Sequence, residues 1–199
     1  MGKKLILVAS PPACGKTYVS ELIAKAAGHI VYLDKDDLCD LLRASFSVAG
    51  EAVDMDGNFY ISQLRPAEYS TILKIAFSAL RFEDLVILNA PFGKEVRDPE
   101  FMRTIKEKAN EIGAELMLIW VTAPLDICHE RMKQRNSDRD LGKLANWEEY
   151  VKNTNYSPPC QLEALGAVDS LMIFDTKNDE TTKHSLTNAL KYITGEELC

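Results

Sequence analysis

Residues Lys4 to Thr17 read KLILVASPPACGKT, an apolar run that stops at a loop of small residues and restarts as a helix at Gly15-Lys16-Thr17. Few folds accommodate that order. A strand, a tight loop and a helix start aim successive main-chain N–H groups at one point, where the helix N-terminus favours an anion. The pattern is close to that of a phosphate-binding loop, Gly, four residues, then Gly-Lys-Ser/Thr, with Ser10 standing where the first glycine belongs. On this reading Ala13, Cys14, Gly15, Lys16, Thr17 and Tyr18 hold the nucleotide. Lys16 bridges the β- and γ-phosphates, and the Thr17 hydroxyl holds Mg²⁺. A positive φ at Ser10 would cost on the order of 1 kcal/mol in strain. The competing reading is a plain strand-to-helix turn.

The rest of the 199-residue chain bounds what such a loop can serve. Apolar content of 46% and charged content of 27% suit a globular protein of one domain with room for a sizeable core. The longest apolar runs, such as Leu116 to Val121, fall far short of a membrane span, and Lys3-Lys4 leads directly into a core strand, so a cytoplasmic location is expected. A formal charge of -7 argues against coating nucleic acid by bulk electrostatics. Five widely spaced cysteines, Cys14, Cys39, Cys128, Cys160 and Cys199, form no CxxC pair, which fits reduced thiols better than disulfides or zinc. Cys14, beside Lys16 at a helix start, is either a small filler or a thiol of lowered pKa.

Along the chain the patterning alternates strand and helix. The expected strands are Lys4 to Val8, Ile30 to Leu33, Leu85 to Leu88, Leu116 to Val121 and Ser170 to Phe174. Expected helices cover Lys16 to Ala27, Asp37 to about Phe46 with Leu38, Leu41 and Leu42 inward, and Pro66 to about Phe82 with an Ile72, Ile75, Ala76 and Leu80 stripe. Further helices cover Pro99 to Ile112, Leu125 to Gln134, Trp147 to Asn153 and Thr181 to Ile193. Asp36 or Asp37 is the expected cap of the second helix. Residues 47–63 lack helical periodicity and read as a substrate-side insertion with a turn at Asp56-Gly57; calcium-loop spacing fails there, because Phe59 and Arg65 stand where glycine and glutamate are needed. Arg135 to Asp140 reads as a charged stretch outside the core, within a lid of about residues 131–145. The pattern defines an α/β fold of three layers, a five-stranded parallel sheet with helices on both faces and a small arginine-bearing lid.

In such a sheet ligands bind where the strands end, so chemistry is confined to the loops on one rim. Asp36 is the expected acceptor of a hydroxyl proton, with Asp34 and Asp37 as alternatives; Asp34 is also the expected support of the metal. Asn89 holds the end of the third strand, where a metal-supporting aspartate is common, and cannot supply that charge. Arg131 and Arg135, four apart, share a helix face from which one can lie on adenine and the other reach phosphates, Arg135 thereby serving catalysis. Arg65 and Lys94 are candidates for an anionic acceptor. His29, His129 and His184 make no triad.

Taken together, Pro11 to Thr17, the Asp36-Asp37 pair and the segment Glu130 to Arg135 resemble the P-loop kinases of the polynucleotide kinase, zeta toxin and chloramphenicol phosphotransferase group. The likeness extends over about Lys4 to Ile193. It implies ATP and Mg²⁺ as cofactors, Asp36 as the acceptor-activating acid, Lys16 and Thr17 as phosphate and metal residues, and Arg131 and Arg135 as lid arginines. Leu38-Cys39-Asp40 departs from the arginine that commonly follows the acid pair in 5′-hydroxyl polynucleotide kinases, which turns the expectation toward a small-molecule hydroxyl. The alternatives are a nucleotide-binding regulatory module or slow ATPase, a polynucleotide kinase, and a nucleoside monophosphate kinase using Arg43, Arg65 and Arg81.

Overall fold

The computed structural model describes residues 2–195, with residues 138 and 139 described by backbone alone. Cys199 and the side chain of Arg139 thus lie outside the described residues. The first half contains β1 (Lys3–Ala9), α1 (Lys16–Ala27), β2 (Val31–Asp34), α2 (Cys39–Ala49), α3 (Arg65–Leu80) and β3 (Leu85–Asn89). The second half contains α4 (Pro99–Glu111), β4 (Ala114–Thr122), α5 (Leu125–Arg135), α6 (Asp138–Ala145), α7 (Trp147–Asn153), α8 (Gln161–Ala164), β5 (Ser170–Asp175) and α9 (Asp179–Thr194).

All strand pairs are parallel, in the order β2-β3-β1-β4-β5. Each central strand is covered on both faces, which explains why no polar alternation shows in its sequence. Leu5, Leu7, Val86, Leu88, Leu116, Leu118 and Trp120 point to one face, where Tyr69, Ile72, Ala76 and Leu80 of α3 and Met102 and Ile105 of α4 cover them. Ile6, Val8, Ile87, Met117, Ile119 and Val121 point to the other, beneath Val19 and Ile23 of α1, Cys128 of α5 and Ala189 and Ile193 of α9. Each fully buried large apolar side chain contributes about 1.5–3 kcal/mol. The three-layer architecture expected from the sequence is therefore present.

Several local expectations give way to packing. The second-strand loop is capped by Asp34, not Asp36 or Asp37, with its carboxylate accepting from the Asp36 N–H at 2.9 Å. A short 3-10 turn, Lys35–Leu38, then intervenes before α2. Leu41 stands 65% exposed, because α2 turns Leu42 and Phe46 toward Tyr60 in a small third cluster rather than toward the sheet. On α3 Leu73 is buried where Ile75 was expected; Ile75 is 41% exposed. Within residues 47–63 the turn falls at Asp54 to Gly57, and a π-helical turn, Tyr60–Leu64, runs into α3. The charged stretch after α5 also departs from expectation: it enters α6, and Asp140 is fully buried.

Candidate active site

The loop between β1 and α1 owes its shape to two positive φ values, 62° at Ala13 and 91° at Gly15, while Ser10 keeps a negative φ and carries no such strain. The glycine lost from the pattern is thus not needed at Ser10. At Gly15 it is needed, since any Cβ would sit in a left-handed conformation and 3.4 Å from Arg131 Nη1. Gly15 caps α1 with no side-chain hydrogen bond, which leaves the first amides of α1 aimed into the cleft.

Beneath this loop the ends of β2 and β3 converge on Asn89. The amide is fully buried, accepts from Lys16 Nζ, and donates through Nδ2 to Asp34 Oδ2 at 2.5 Å and to Thr17 Oγ1 at 3.3 Å. Tyr32 OH donates to the same Asp34 oxygen at 3.0 Å. Lysine, threonine, amide and carboxylate therefore meet in one hydrogen-bonded group, with Asp34 linked to Thr17 through Asn89. Among the described residues no cluster of three or more His, Cys, Asp or Glu could cage a metal. Such a donor set fits an ion that keeps most of its water and takes one hydroxyl ligand, as Mg²⁺ does.

Above the loop, a cleft of about 510 Å³ is lined by Lys16, Thr17, Tyr18, Asp36, Arg65, Arg131, Arg135 and Lys143, among others. Arg131 braces the loop rather than lying open. Its guanidinium donates to Thr176 Oγ1 at 3.0 Å and to the Thr176 carbonyl at 2.9 Å, and Thr176 Oγ1 donates to the Cys14 carbonyl at 2.8 Å. Arg135 is held by the buried Asp140 carboxylate through Nε at 2.8 Å and Nη2 at 2.5 Å, with Lys143 Nζ 3.8 Å from the second oxygen. Asp36 is exposed on the cleft, 3.4 Å from Lys35 Nζ. That lysine is buried and donates to Glu68 Oε1 at 2.7 Å, while Tyr60 OH donates to Glu68 Oε2 at 2.6 Å.

The two residues expected to meet an anionic acceptor are placed differently by this geometry. Arg65 lines the cleft, but its guanidinium is paired with Glu95 at 2.8 Å and lies 4.6 Å over the Tyr69 ring. Lys94 does not line the cleft; it borders an adjoining groove of about 840 Å³ between α3 and α4 that shares Arg65 with the cleft but holds none of the loop residues. The roomier groove lies away from the strand ends where the phosphate loop sits, so the chemistry is assigned to the smaller cleft. Of the two readings of Cys14, the small buried filler holds and the thiol of lowered pKa does not. Its sulfur lies 3.6 Å from that of Cys128, and this hydrogen bond together with burial pushes its proton affinity well above the usual thiol range. Nothing near residue 14 signals a partner 114 positions away. The same holds for Thr176 and Glu68, whose partners Arg131 and Lys35 lie 45 and 33 positions away.

A loop of this shape at the end of a central strand, with a lysine and a threonine at the following helix start, defines a P-loop fold of the kinase-like kind. The chain belongs to the AAA domain family, whose model matches residues 5–155. Among solved structures it is similar to a protein from Chloroflexus aurantiacus j-10-fl that bears a provisional kinase name, at 19% identity and a TM-score of 0.66 over 98% of each chain. It is also similar to the Mycobacterium tuberculosis APS kinase solved in complex with AMPPNP and APS, at 16% identity and a TM-score of 0.53 over 98% of this chain and 99% of that one. A third is shikimate kinase from Bacteroides thetaiotaomicron, at 11% identity and a TM-score of 0.53 over 98% of this chain and all of the other. At such identities the likeness is one of fold. No curated protein matches the chain. Among the described residues no helix is long and apolar enough to cross a membrane.

Proposed function

We propose that the protein is a phosphotransferase that moves the γ-phosphoryl group of ATP to a hydroxyl of a small molecule. The observation that carries this reading is the joining of Lys16, Thr17 and Asp34 by the buried Asn89 beneath a positive-φ loop, with Asp36 facing the same cleft. Phosphoryl transfer asks a protein chiefly for position and for positive charge over the moving group. The loop amides and Lys16 supply charge at the phosphates, while Arg135 and Lys143, two cations sharing the single carboxylate of Asp140, leave net positive charge on the opposite wall. Bound Mg²⁺, held by Thr17 with Asp34 behind it, would draw charge from the phosphate oxygens.

Asp36 then orients the acceptor hydroxyl and takes its proton as the acceptor oxygen bonds to the γ-phosphorus and the bridging oxygen leaves with ADP. It acts more by orienting the hydroxyl than as a strong base, since phosphoryl transfer asks chiefly for position. The test is a pair of variants. Lys16→Ala should abolish ATP turnover, and Asp36→Ala should abolish transfer while leaving ATP binding within about threefold of wild type, because only the acceptor side is altered. Transfer at the wild-type rate by the Asp36 variant would contradict the assignment.

A regulatory nucleotide-binding module is the second reading, favoured by the amide at Asn89 where a carboxylate would serve the metal more directly. Protein incubated with ATP, Mg²⁺ and a metabolite pool separates them. Phosphate appearing on a metabolite supports the transferase, and nucleotide held without any product supports the module.

A further inference from the structure

We infer that the acceptor half of the cleft takes an uncharged hydroxy compound with an apolar face, and not a carboxylate- or phosphate-bearing one; this rests on the transferase reading above. The wall beyond Asp36 is formed by Leu42, Met55, Tyr60 and Pro91. Leu42 and Tyr60 are buried in the third apolar cluster against Phe46 and Phe59, so the carbon surface left open on this wall is that of the half-buried Met55 and Pro91. An acceptor seated there loses water along one side and meets carbon.

Two of the cations lining the cleft, Lys35 and Arg65, come from the segments that flank this wall in sequence, and each is paired with a carboxylate. Lys35 is held by Glu68, whose side chain is fully buried, and also lies 3.4 Å from Asp36. Arg65 is held by Glu95, with Nη2 at 2.8 and 2.9 Å from its two oxygens and Nε at 3.1 Å from the first. Both glutamates are nearly or fully shielded, at 0% and 12% side-chain exposure, so water does little to weaken these pairs. Two cations therefore stand against the three carboxylates Asp36, Glu68 and Glu95. An anion entering here would lose its hydration, find no unmatched positive charge on this wall, and approach the Asp36 carboxylate. A neutral hydroxyl on an apolar frame incurs none of these costs.

The experiment uses the whole protein saturated with Mg²⁺ and AMPPNP and two matched probes, 3-phenyl-1,2-propanediol and 3-phenyllactate, which differ by a hydroxymethyl group against a carboxylate. Binding is read by ligand-observed NMR, so it is independent of turnover. The diol should bind about tenfold or more tightly than the acid, and Glu95→Gln, which releases the Arg65 charge, should raise affinity for the acid by at least tenfold. Equal or tighter binding of the acid to the wild type, or failure of the diol to bind at millimolar concentration, would overturn the inference. Selective diol binding, together with no phosphate reaching any hydroxy compound of a metabolite pool when ATP replaces AMPPNP, would sustain the preference of the cleft and instead sink the transferase reading.

Discussion

Asn89 shows how much a single amide can hold. Its oxygen accepts from Lys16, and the two hydrogens of its nitrogen are shared among Asp34 at 2.5 Å and Thr17 and Tyr32, each at 3.3 Å. Asn89→Ala would leave the Asp34 carboxylate short of a donor and the lysine without its buried guide. An outer partner of this kind typically changes affinity by about 10–100-fold, so the ATP dissociation constant measured by calorimetry should rise by at least tenfold. An unchanged constant would contradict the role. Cys14 offers a second check at this scale. Buried against Cys128, it should resist iodoacetamide at pH 8 in the folded protein while the exposed Cys160 reacts, as read by peptide mass spectrometry. Modification of Cys14 at the rate of Cys160 would show an open thiol. The sequence made Asn89, Lys16 and Thr17 visible because each lies at a strand end or helix start. It left Cys14 ambiguous, because the deciding contact is to a residue far along the chain.

At the scale of elements, α5 and α6 form a hinge-like pair around one ion pair. Arg135 closes α5, Asn136 turns the chain at a φ of 45°, and Asp140 in the first turn of α6 accepts the guanidinium. If the two side chains act as a unit, their losses will not add. Arg135→Ala should lower transfer by tenfold or more, and Arg135→Ala with Asp140→Asn should fall within about twofold of that single variant. Full additivity would mean that Asp140 works independently. Helix positions along α1, α4, α5 and α9 were legible from period and caps, since each lays one apolar stripe on a sheet. Leu41 and Ile75 misled because α2 packs on the Tyr60 turn and α3 rotates Leu73 inward, arrangements that depend on what else is nearby. The Asp140 burial could not be read from a run of charges, which ordinarily marks solvent.

Across the whole molecule, the sheet is what brings the site together. Strands β1, β2 and β3 lie side by side, so residues 10–17, 34–36 and 89–91 end on one rim although up to about 80 positions separate them. This much followed from apolar runs and right-handed crossovers alone. The covering layers hold the rim still. Phe174, fully buried on β5 beside α9, carries part of that load, and Phe174→Ala should cost about 3–5 kcal/mol in urea unfolding. A loss below about 1 kcal/mol would show that the layer is loosely packed. The acceptor wall was less legible than the phosphate loop. Its character is set by two ion pairs and an apolar cluster from separate elements, whereas the loop is contiguous in sequence.

Calorimetric titration of ATP with Mg²⁺ into the wild type and into Lys16→Ala tests most directly whether the β1–α1 loop grips a triphosphate. Saturable heat with one site per chain is expected from the wild type, with affinity at least a hundredfold weaker in the variant. No heat from the wild type, or equal affinity in both proteins, would contradict the account.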